Sequence, residues 1–151
     1  MKPLNIAIPA VLAVAMSAMP VLAEFHSKTS PKSVAETVDA LAAAVEEAGA
    51  SVIARVDHSG AAAGVDMELT ESQLLIFGNP KVGTPPMQAD PRAGLMVPLR
   101  VLTYADGDGT TQVFWEDATG LFEGLDVPAD AAYLARIDGA LNTLTEKAVA
   151  E

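Results

Sequence analysis

The segment from Phe77 to Thr84, with the sequence FGNPKVGT, holds the residue types best suited to binding. Gly and Pro occur where a backbone turns sharply or approaches another group closely. The sequence predicts that Thr84 caps a short helix and that free N–H groups near Gly83 can hold an anion beside the charge of Lys81. The GxxxxGK[ST] order of a phosphate-cradling loop is absent. A loop shaped only for packing is the alternative.

His58 is the residue best suited to acid–base chemistry or metal ligation, because an imidazole changes charge near neutral pH. It ends a predicted strand, Ser51–His58, and shares one face of that strand with Val52 and Val56. A neutral imidazole at the rim of the core is the alternative. The spacing supports no Ser–His–acid set, and Asp57 is expected to point away from the ring.

These residues predict one binding site, where the Phe77–Met87 loop meets the end of the Ser51–His58 strand. A pocket needs apolar walls and a few polar groups. The predicted polar contacts are His58, Asn79, Lys81 and Thr84, and the predicted walls are Phe77, Met87 and Met96.

Thioether and imidazole groups together suit copper outside the cytosol, and His58 with Met67, Met87 and Met96 is the candidate set. Strict ligand spacing is absent, and methionines more often fill gaps in cores. We therefore expect neither a metal nor a cofactor. His26 is a separate case: after removal of a leader it becomes the third residue, where a free amine and an imidazole bind Cu(II) or Ni(II) generically.

The segment from Asp106 to Thr110 (DGDGT) resembles two functional loops. A phosphatase of the haloacid-dehalogenase type needs its DxDxT at the end of a parallel strand, with partners far downstream. A calcium loop of the EF-hand type needs Gly where Thr111 stands and a bidentate Glu where Asp117 stands. Because a strand follows immediately, the segment is predicted to be a hairpin turn.

Charge and cysteine content limit the function classes. The chain has 151 residues, a formal net charge of −11 and no cysteine. This charge opposes binding to nucleic acid or anionic lipid, and disulfides and thiol chemistry are excluded. Residues 1–23 are predicted to be a signal peptide cleaved after Ala23. The remaining chain, residues 24–151 with a charge of −12, is predicted to be one domain, exported to a periplasm or secreted, and free of the membrane.

Apolar periodicity supplies the elements that position these residues. A capping box at Ser33–Glu36 starts a helix that reaches Ala48, and a second helix runs from Tyr133 to Ala148. Pro98 favours an edge or bulge in its strand. The strands, after a weak one at Phe25–Ser30, are Ser51–His58, Gln73–Phe77, Met96–Ala105 and Thr111–Asp117. This order predicts an α+β domain with one antiparallel sheet and two helices on one face.

Several short motifs resemble the domain of unknown function 302 family. They are Val56–His58 with the small cluster Ala61–Gly64, the LLIFGNP run Leu74–Pro80, Gly83-Thr84 with Met87, Pro91, and the Pro98–Leu102 strand. The resemblance implies a two-layer domain, strand–helix–four strands–helix, with a TATA-binding-protein-like arrangement and homodimers. Pro86 and Met96 depart from the pattern, where Leu and an acidic residue are expected. The family implies no activity, cofactor or catalytic residue.

The leading functional hypothesis is an exported binding or interaction module for a small molecule or a protein. One alternative is a hydrolase- or lyase-type enzyme with His58 as general base and the Gly83–Thr84 amides stabilising an anion. Another is a periplasmic carrier of copper or another metal. Nucleic acid is not an expected partner.

Overall fold

The computed structural model describes residues 24–151. The predicted signal peptide and its cleavage site lie outside these residues. Five strands and five α-helices follow one another in the described chain, with a 3₁₀ helix at Pro91–Leu95. In chain order they are β1 (Phe25–Ser30), α1 (Val34–Glu47), β2 (Ser51–Asp57), α2 (His58–Ala63), β3 (Ser72–Gly78), α3 (Pro80–Ala89), β4 (Leu99–Ala105), β5 (Thr111–Glu116), α4 (Ala118–Leu121) and α5 (Ala132–Val149).

The strands form one antiparallel sheet in the order β1-β5-β4-β3-β2. The predicted α+β class is therefore confirmed, as is the order strand–helix–four strands–helix. The predicted capping box of α1 is also present, since the Ser33 hydroxyl accepts from the Glu36 N–H and the Glu36 carboxylate accepts from the Ser33 N–H. The predicted hairpin turn is formed as well, with the Asp106 N–H donating to the Thr110 carbonyl.

The core lies between the sheet and its two long helices. Helices α1 and α5 bury apolar faces against alternate residues of the inner strands. Full burial of one large apolar side chain contributes roughly 1.5–3 kcal/mol, so packing alone can stabilise a domain without disulfides. The fully buried side chains include Val38, Leu41, Leu75, Phe77, Val101, Val113, Ile137 and Leu141.

A β-bulge in β2 changes which of its side chains share a face. Val52 lies opposite Phe77, but Ala54 lies opposite Ile76, so Ile53 is the extra residue. The prediction that Val52 and Val56 share one face is therefore wrong, because one inserted residue reverses the alternation. Ile53 is left 58% exposed at the edge of the sheet.

The predicted starts of helix α3 and strand β4 are also wrong. Helix α3 begins at Pro80, not after Thr84. The strand predicted from Met96 begins at Leu99, because a 3₁₀ helix occupies the preceding residues. Pro98 thus precedes β4, which is the central strand, and needs neither an edge position nor a bulge. No helix among residues 24–151 has the length and apolarity needed to cross a bilayer.

Candidate functional site

A recess of about 460 Å³ opens at the end of the sheet where β3 stops and β4 starts. One wall is α3, and the opposite wall is the beginning of β2 and the residues leading into β4. Its surface is mainly hydrocarbon, with Ser51, Asn79 and Thr84 as the polar side chains. The apolar side chains that line it are Ile53, Pro80, Val82, Met87, Val97, Pro98, Leu99 and Ile137.

Asn79 fixes the position of α3 beside this recess. Its side-chain oxygen accepts from the Lys81 N–H at 3.0 Å, which caps the helix. Its side-chain nitrogen donates to the Gly49 carbonyl at 3.1 Å, just after the end of α1. One side chain therefore joins the start of α3 to the turn that leads into β2.

The amides at the start of α3 are not free to bind an anion. Pro80 has no N–H, and the Lys81 N–H is capped by Asn79. The N–H groups of Val82 and Gly83 both donate to the Asn79 carbonyl, at 2.8 and 3.0 Å. The predicted anion site near Gly83 and Thr84 is therefore wrong, because the helix begins five residues earlier than predicted and uses these donors itself.

Pro85 and Pro86 lie inside α3. A proline in a helix has no N–H for the carbonyl four residues earlier. The carbonyls of Lys81 and Val82 consequently receive no helical hydrogen bond from these positions, and Val82 is one of the recess residues. Helix α3 thus supplies an apolar wall of the recess although two of its residues cannot donate a backbone hydrogen bond.

The far end of α3 is held by Asp90, whose side chain is only 4% exposed. Its carboxylate accepts from Arg92 Nε and Nη2 and from the Asp126 backbone N–H. The Arg92 guanidinium, followed by the Asp126 N–H, holds the pKa of Asp90 far below its usual range. A buried carboxylate is tolerated here because several donors satisfy it.

The structure brings together only part of the predicted site. Asn79, Thr84 and Met87 line the recess. Phe77 is buried in the core at 2% exposure, while Met96 packs against the core from outside. Lys81 is exposed on α3. Neither Phe77, Met96 nor Lys81 is among the residues that line the recess.

His58 is separated from the other predicted residues. It is the exposed first residue of α2, and it follows Asp57, which pairs with Gln73 at the start of β3. The recess adjoins Ser51 and Gly78, which pair at the opposite end of the same hairpin. Six residue steps along β2 correspond to roughly 20 Å. The prediction that the loop meets His58 is therefore wrong. The loop follows the end of β3, which pairs with the start of β2, whereas His58 follows the end of β2.

Sequence reasoning missed Ser51, Ile53, Val97 and Ile137 as lining residues. The antiparallel hairpin itself was the available signal for Ser51, since the end of β3 must adjoin the start of β2. No local signal exists for Ile137, because its position depends on how α5 packs across the sheet. The Asp57 carboxylate caps α2 by accepting from the Gly60 N–H at 2.8 Å, and this bond and the Ser59 hydroxyl lower its pKa.

Residues 26–144 match the sequence profile of the family described as "Domain of unknown function DUF302". The chain belongs to the DUF302 family. The fold agrees with a solved member, the uncharacterized conserved protein DUF302 from Bacillus stearothermophilus, at a TM-score of 0.75. That likeness covers 82% of this chain and 97% of the other at 18% sequence identity, so it concerns the fold alone.

Among curated proteins, this DUF302 chain is similar to proteins named fluoride-specific ion channels. FluC 1 of Brucella suis biovar 1 (strain 1330) is 36% identical over 124 residues, which cover 81% of this chain and 48% of that protein. FluC 2 of Brucella melitensis biotype 1 is also 36% identical, over 46% of its length. The DUF302 chain thus spans about half the length of the curated relatives it matches.

Proposed function

We propose that this DUF302 domain is an exported binding module that holds a small, mainly apolar ligand, or an apolar side chain of a protein partner, in the recess beside α3. The observation that carries the proposal is the recess itself. Its volume of about 460 Å³ falls within the range of ligand sites, roughly 300–1,000 Å³. Its composition, hydrocarbon walls with a few polar groups, is also that of ligand sites.

The walls favour an uncharged ligand. Among residues 24–151, no lysine or arginine lines the recess, and the amides at the start of α3 are engaged, so these residues offer an anion no charged partner. The Thr84 hydroxyl and the second N–H of the Asn79 side chain can supply polar contacts. A ligand with an apolar body and a small polar end matches this surface.

The recess can be tested by filling it. Gly83 lies in α3, and a Cβ built on it approaches Val97 side-chain atoms at 3.9 Å, an ordinary contact distance. A Gly83→Leu substitution therefore places its remaining atoms in the recess without a clash at Cβ. Gly139→Leu is the matched control, because Gly139 is a glycine of α5 with no neighbouring atom within 4 Å of its built Cβ.

The probe is the uncharged, fluorescent apolar dye N-phenyl-1-naphthylamine, titrated into the wild type and both variants, with native mass spectrometry of protein taken from its host to detect a retained molecule. We expect Gly83→Leu to weaken dye binding at least about tenfold, the equivalent of 1.4 kcal/mol, and to abolish retention. Gly139→Leu is expected to bind as the wild type does. Equal binding by all three proteins, or equal loss in both variants, would contradict the proposal.

The enzyme alternative receives less support. A general base must lie within hydrogen-bond reach of its substrate, but exposed His58 lies at the far end of β2 from the recess. The amides proposed to stabilise an anion are already bonded within α3. The predicted base is therefore far from the recess, and the amides predicted to stabilise an anion are engaged in the helix.

A second candidate function is suggested by the curated relatives. Proteins named fluoride-specific ion channels contain a matching region over less than half of their length, so we infer that such a domain serves a membrane protein as an accessory module. The net charge of −12 on residues 24–151 does not favour fluoride binding by the domain itself. Fluoride efflux from liposomes containing the Brucella suis protein, with its matching region intact, deleted or replaced by this domain, tests the idea. Equal efflux from all three would contradict it.

A further inference from the structure

Three potential metal ligands meet where β1 begins and β5 ends. The strands pair antiparallel with Phe25 opposite Glu116 and His26 opposite Trp115. The pairing continues one residue further, because the Asp117 N–H donates to the Glu24 carbonyl at 2.9 Å. One ligand atom from each of Glu24, His26 and Asp117 lies within 4.8 Å of the others.

The imidazole of His26 is held in place by its cross-strand partner. The His26 and Trp115 rings stack at a centroid distance of 5.5 Å and an interplanar angle of 27°, and Trp115 is only 6% exposed. His26 itself is half-buried. Alternation along the strands puts its neighbours Phe25 and Glu116 on the opposite face of the sheet. The ring thus has a defined position on the side where Asp117 turns into α4.

The Asp117 carboxylate is also oriented. Its Oδ1 accepts from the Gly120 N–H and caps α4. This bond engages one oxygen and leaves the other available, which is how outer hydrogen bonds commonly orient a metal-ligating carboxylate. Glu24 is exposed and can adjust its side chain. The cluster therefore combines two positioned ligands with a third that can close on an ion.

We propose that Glu24, His26 and Asp117 bind a divalent transition-metal ion of the zinc type. One imidazole and two carboxylates are the ligand types of three-ligand zinc sites with an open fourth position. Bonds of 2.0–2.1 Å in a tetrahedron place ligand atoms about 3.4 Å apart, so a modest closure from the present separations completes the site. Two negative charges offset the charge of the ion, and the imidazole selects against Mg²⁺ and Ca²⁺.

This site differs from the generic chelate predicted for a free amino terminus. That chelate takes the amine, backbone amide nitrogens and the third-residue imidazole, and it requires the His26 amide to lose its proton. Glu24 and Asp117 form a hydrogen-bonded pair of the antiparallel ladder. Such pairs alternate with non-hydrogen-bonded ones, so His26 and Trp115, two residues further along, form the next hydrogen-bonded pair. The His26 amide thus belongs to the sheet, and the side chains are left as ligands.

The test is calorimetric titration of the purified full chain with Zn²⁺, together with Co²⁺ absorption spectra as a readout of coordination. Residue 24 carries no free amine in the full chain, so the amino-terminal chelate cannot form there. We expect one ion per chain. His26→Gln and Asp117→Asn should each weaken Zn²⁺ binding at least about tenfold, the lower limit for changes even outside the first coordination shell. Asn at 117 keeps the cap of α4.

The chain supplies matched controls for both substitutions. His58→Gln changes the other histidine, which is exposed on α2, and Glu116→Gln changes the acidic neighbour of Asp117 on the opposite face. Both are expected to bind Zn²⁺ as the wild type does. Absence of saturable binding by the wild type would overturn the proposal, as would equal weakening by His58→Gln and His26→Gln. The recess plays no part in this test, so either proposal can fail alone.

Discussion

The two ends of the β2–β3 hairpin differ in how firmly the chain is held. At the recess end, Phe77 is 2% exposed, and Asn79 and Asp90 each join segments that are distant in sequence. At the His58 end, α2 contributes no buried residue. The segment that follows α2 leaves Val65, Met67 and Leu69 more than half exposed.

This difference shows that a concave surface forms where the surrounding chain is fixed, not where reactive residue types occur. His58 has the more versatile side chain, yet it is exposed, and within the described part of the chain no hydrogen bond orients its ring. The recess has ordinary side chains, but its walls are held by the hydrogen bonds of Asn79 and Asp90 and by packing against the core. Recognition needs such pre-organisation, because ordering a mobile site costs binding free energy.

The largest expected effect comes from shortening one side chain at each end of the hairpin. Phe77→Ala removes a fully buried ring at the recess end and should lower the free energy of unfolding by about 3–5 kcal/mol. Val56→Ala lies near the His58 end and is 36% exposed, so its loss should be about 1 kcal/mol, typical of a partly exposed site. Urea denaturation at neutral pH measures both. Similar losses would show that the two ends are equally packed.

The elements themselves were largely predictable from sequence. The capping box at Ser33 and the stripes of α1 and α5 depend on spacing within one helix, so they can be read locally. The DGDGT turn is likewise determined by its own residues. The start of helix α3 was mispredicted because proline favours the first turn of a helix, whereas Pro85 and Pro86 lie inside this one. Burial of Pro86 in the structure indicates that packing outweighs this preference.

The candidate site was less predictable because it depends on which strand ends meet. Asn79, Thr84 and Met87 were found through loop composition, and they do line the recess. His58 was placed beside them because it lies in a neighbouring motif of the sequence. The antiparallel register of β2 and β3 instead places it at the opposite end of the hairpin. The bulge at Ile53 could not be predicted from alternation, because a two-residue period assumes that no residue is inserted in the strand.

A smaller effect, and one that depends on pH, is expected at Asp90. Its pKa is lowered in the folded protein, by Arg92 first, so its ionised form stabilises the fold above the unfolded-state pKa of about 3.9. This contribution is lost as pH falls below that value. Asp90→Asn should therefore be less stable than the wild type from about pH 5 to 8, with the difference shrinking below about pH 4.

The matched control for Asp90 lies near the other end of the hairpin. Asp66 is exposed, has a positive φ of 56° that Asn also tolerates, and makes no side-chain hydrogen bond among residues 24–151. Denaturation curves between pH 3 and 8, compared for Asp90→Asn, Asp66→Asn and the wild type, separate the two ends. A constant difference for Asp90→Asn across this range would show that its charge does not matter.

The smallest effect compares two helix caps. Asn79 caps α3 and Asp57 caps α2, each by accepting from a backbone N–H at the start of its helix. Asn79→Ala should cost about 1 kcal/mol of unfolding free energy, as is typical of a lost cap. Asp57→Ala should cost less, because α2 buries nothing and can open without global unfolding. Urea denaturation gives the global loss, and hydrogen exchange at Lys81 and Gly60 shows local opening.

Asn79→Ser separates the contributions of the two Asn79 hydrogen bonds to the unfolding free energy. Serine keeps an oxygen that can cap α3 but has no amide nitrogen to donate to the Gly49 carbonyl. An intermediate stability would assign the remainder to the link between α3 and the turn before β2. If Asn79→Ser matched the wild type, that link would contribute nothing. If Asp57→Ala proved as costly as Asn79→Ala, the two ends would be equally fixed, and the preference for the recess as a recognition surface would lose its physical basis.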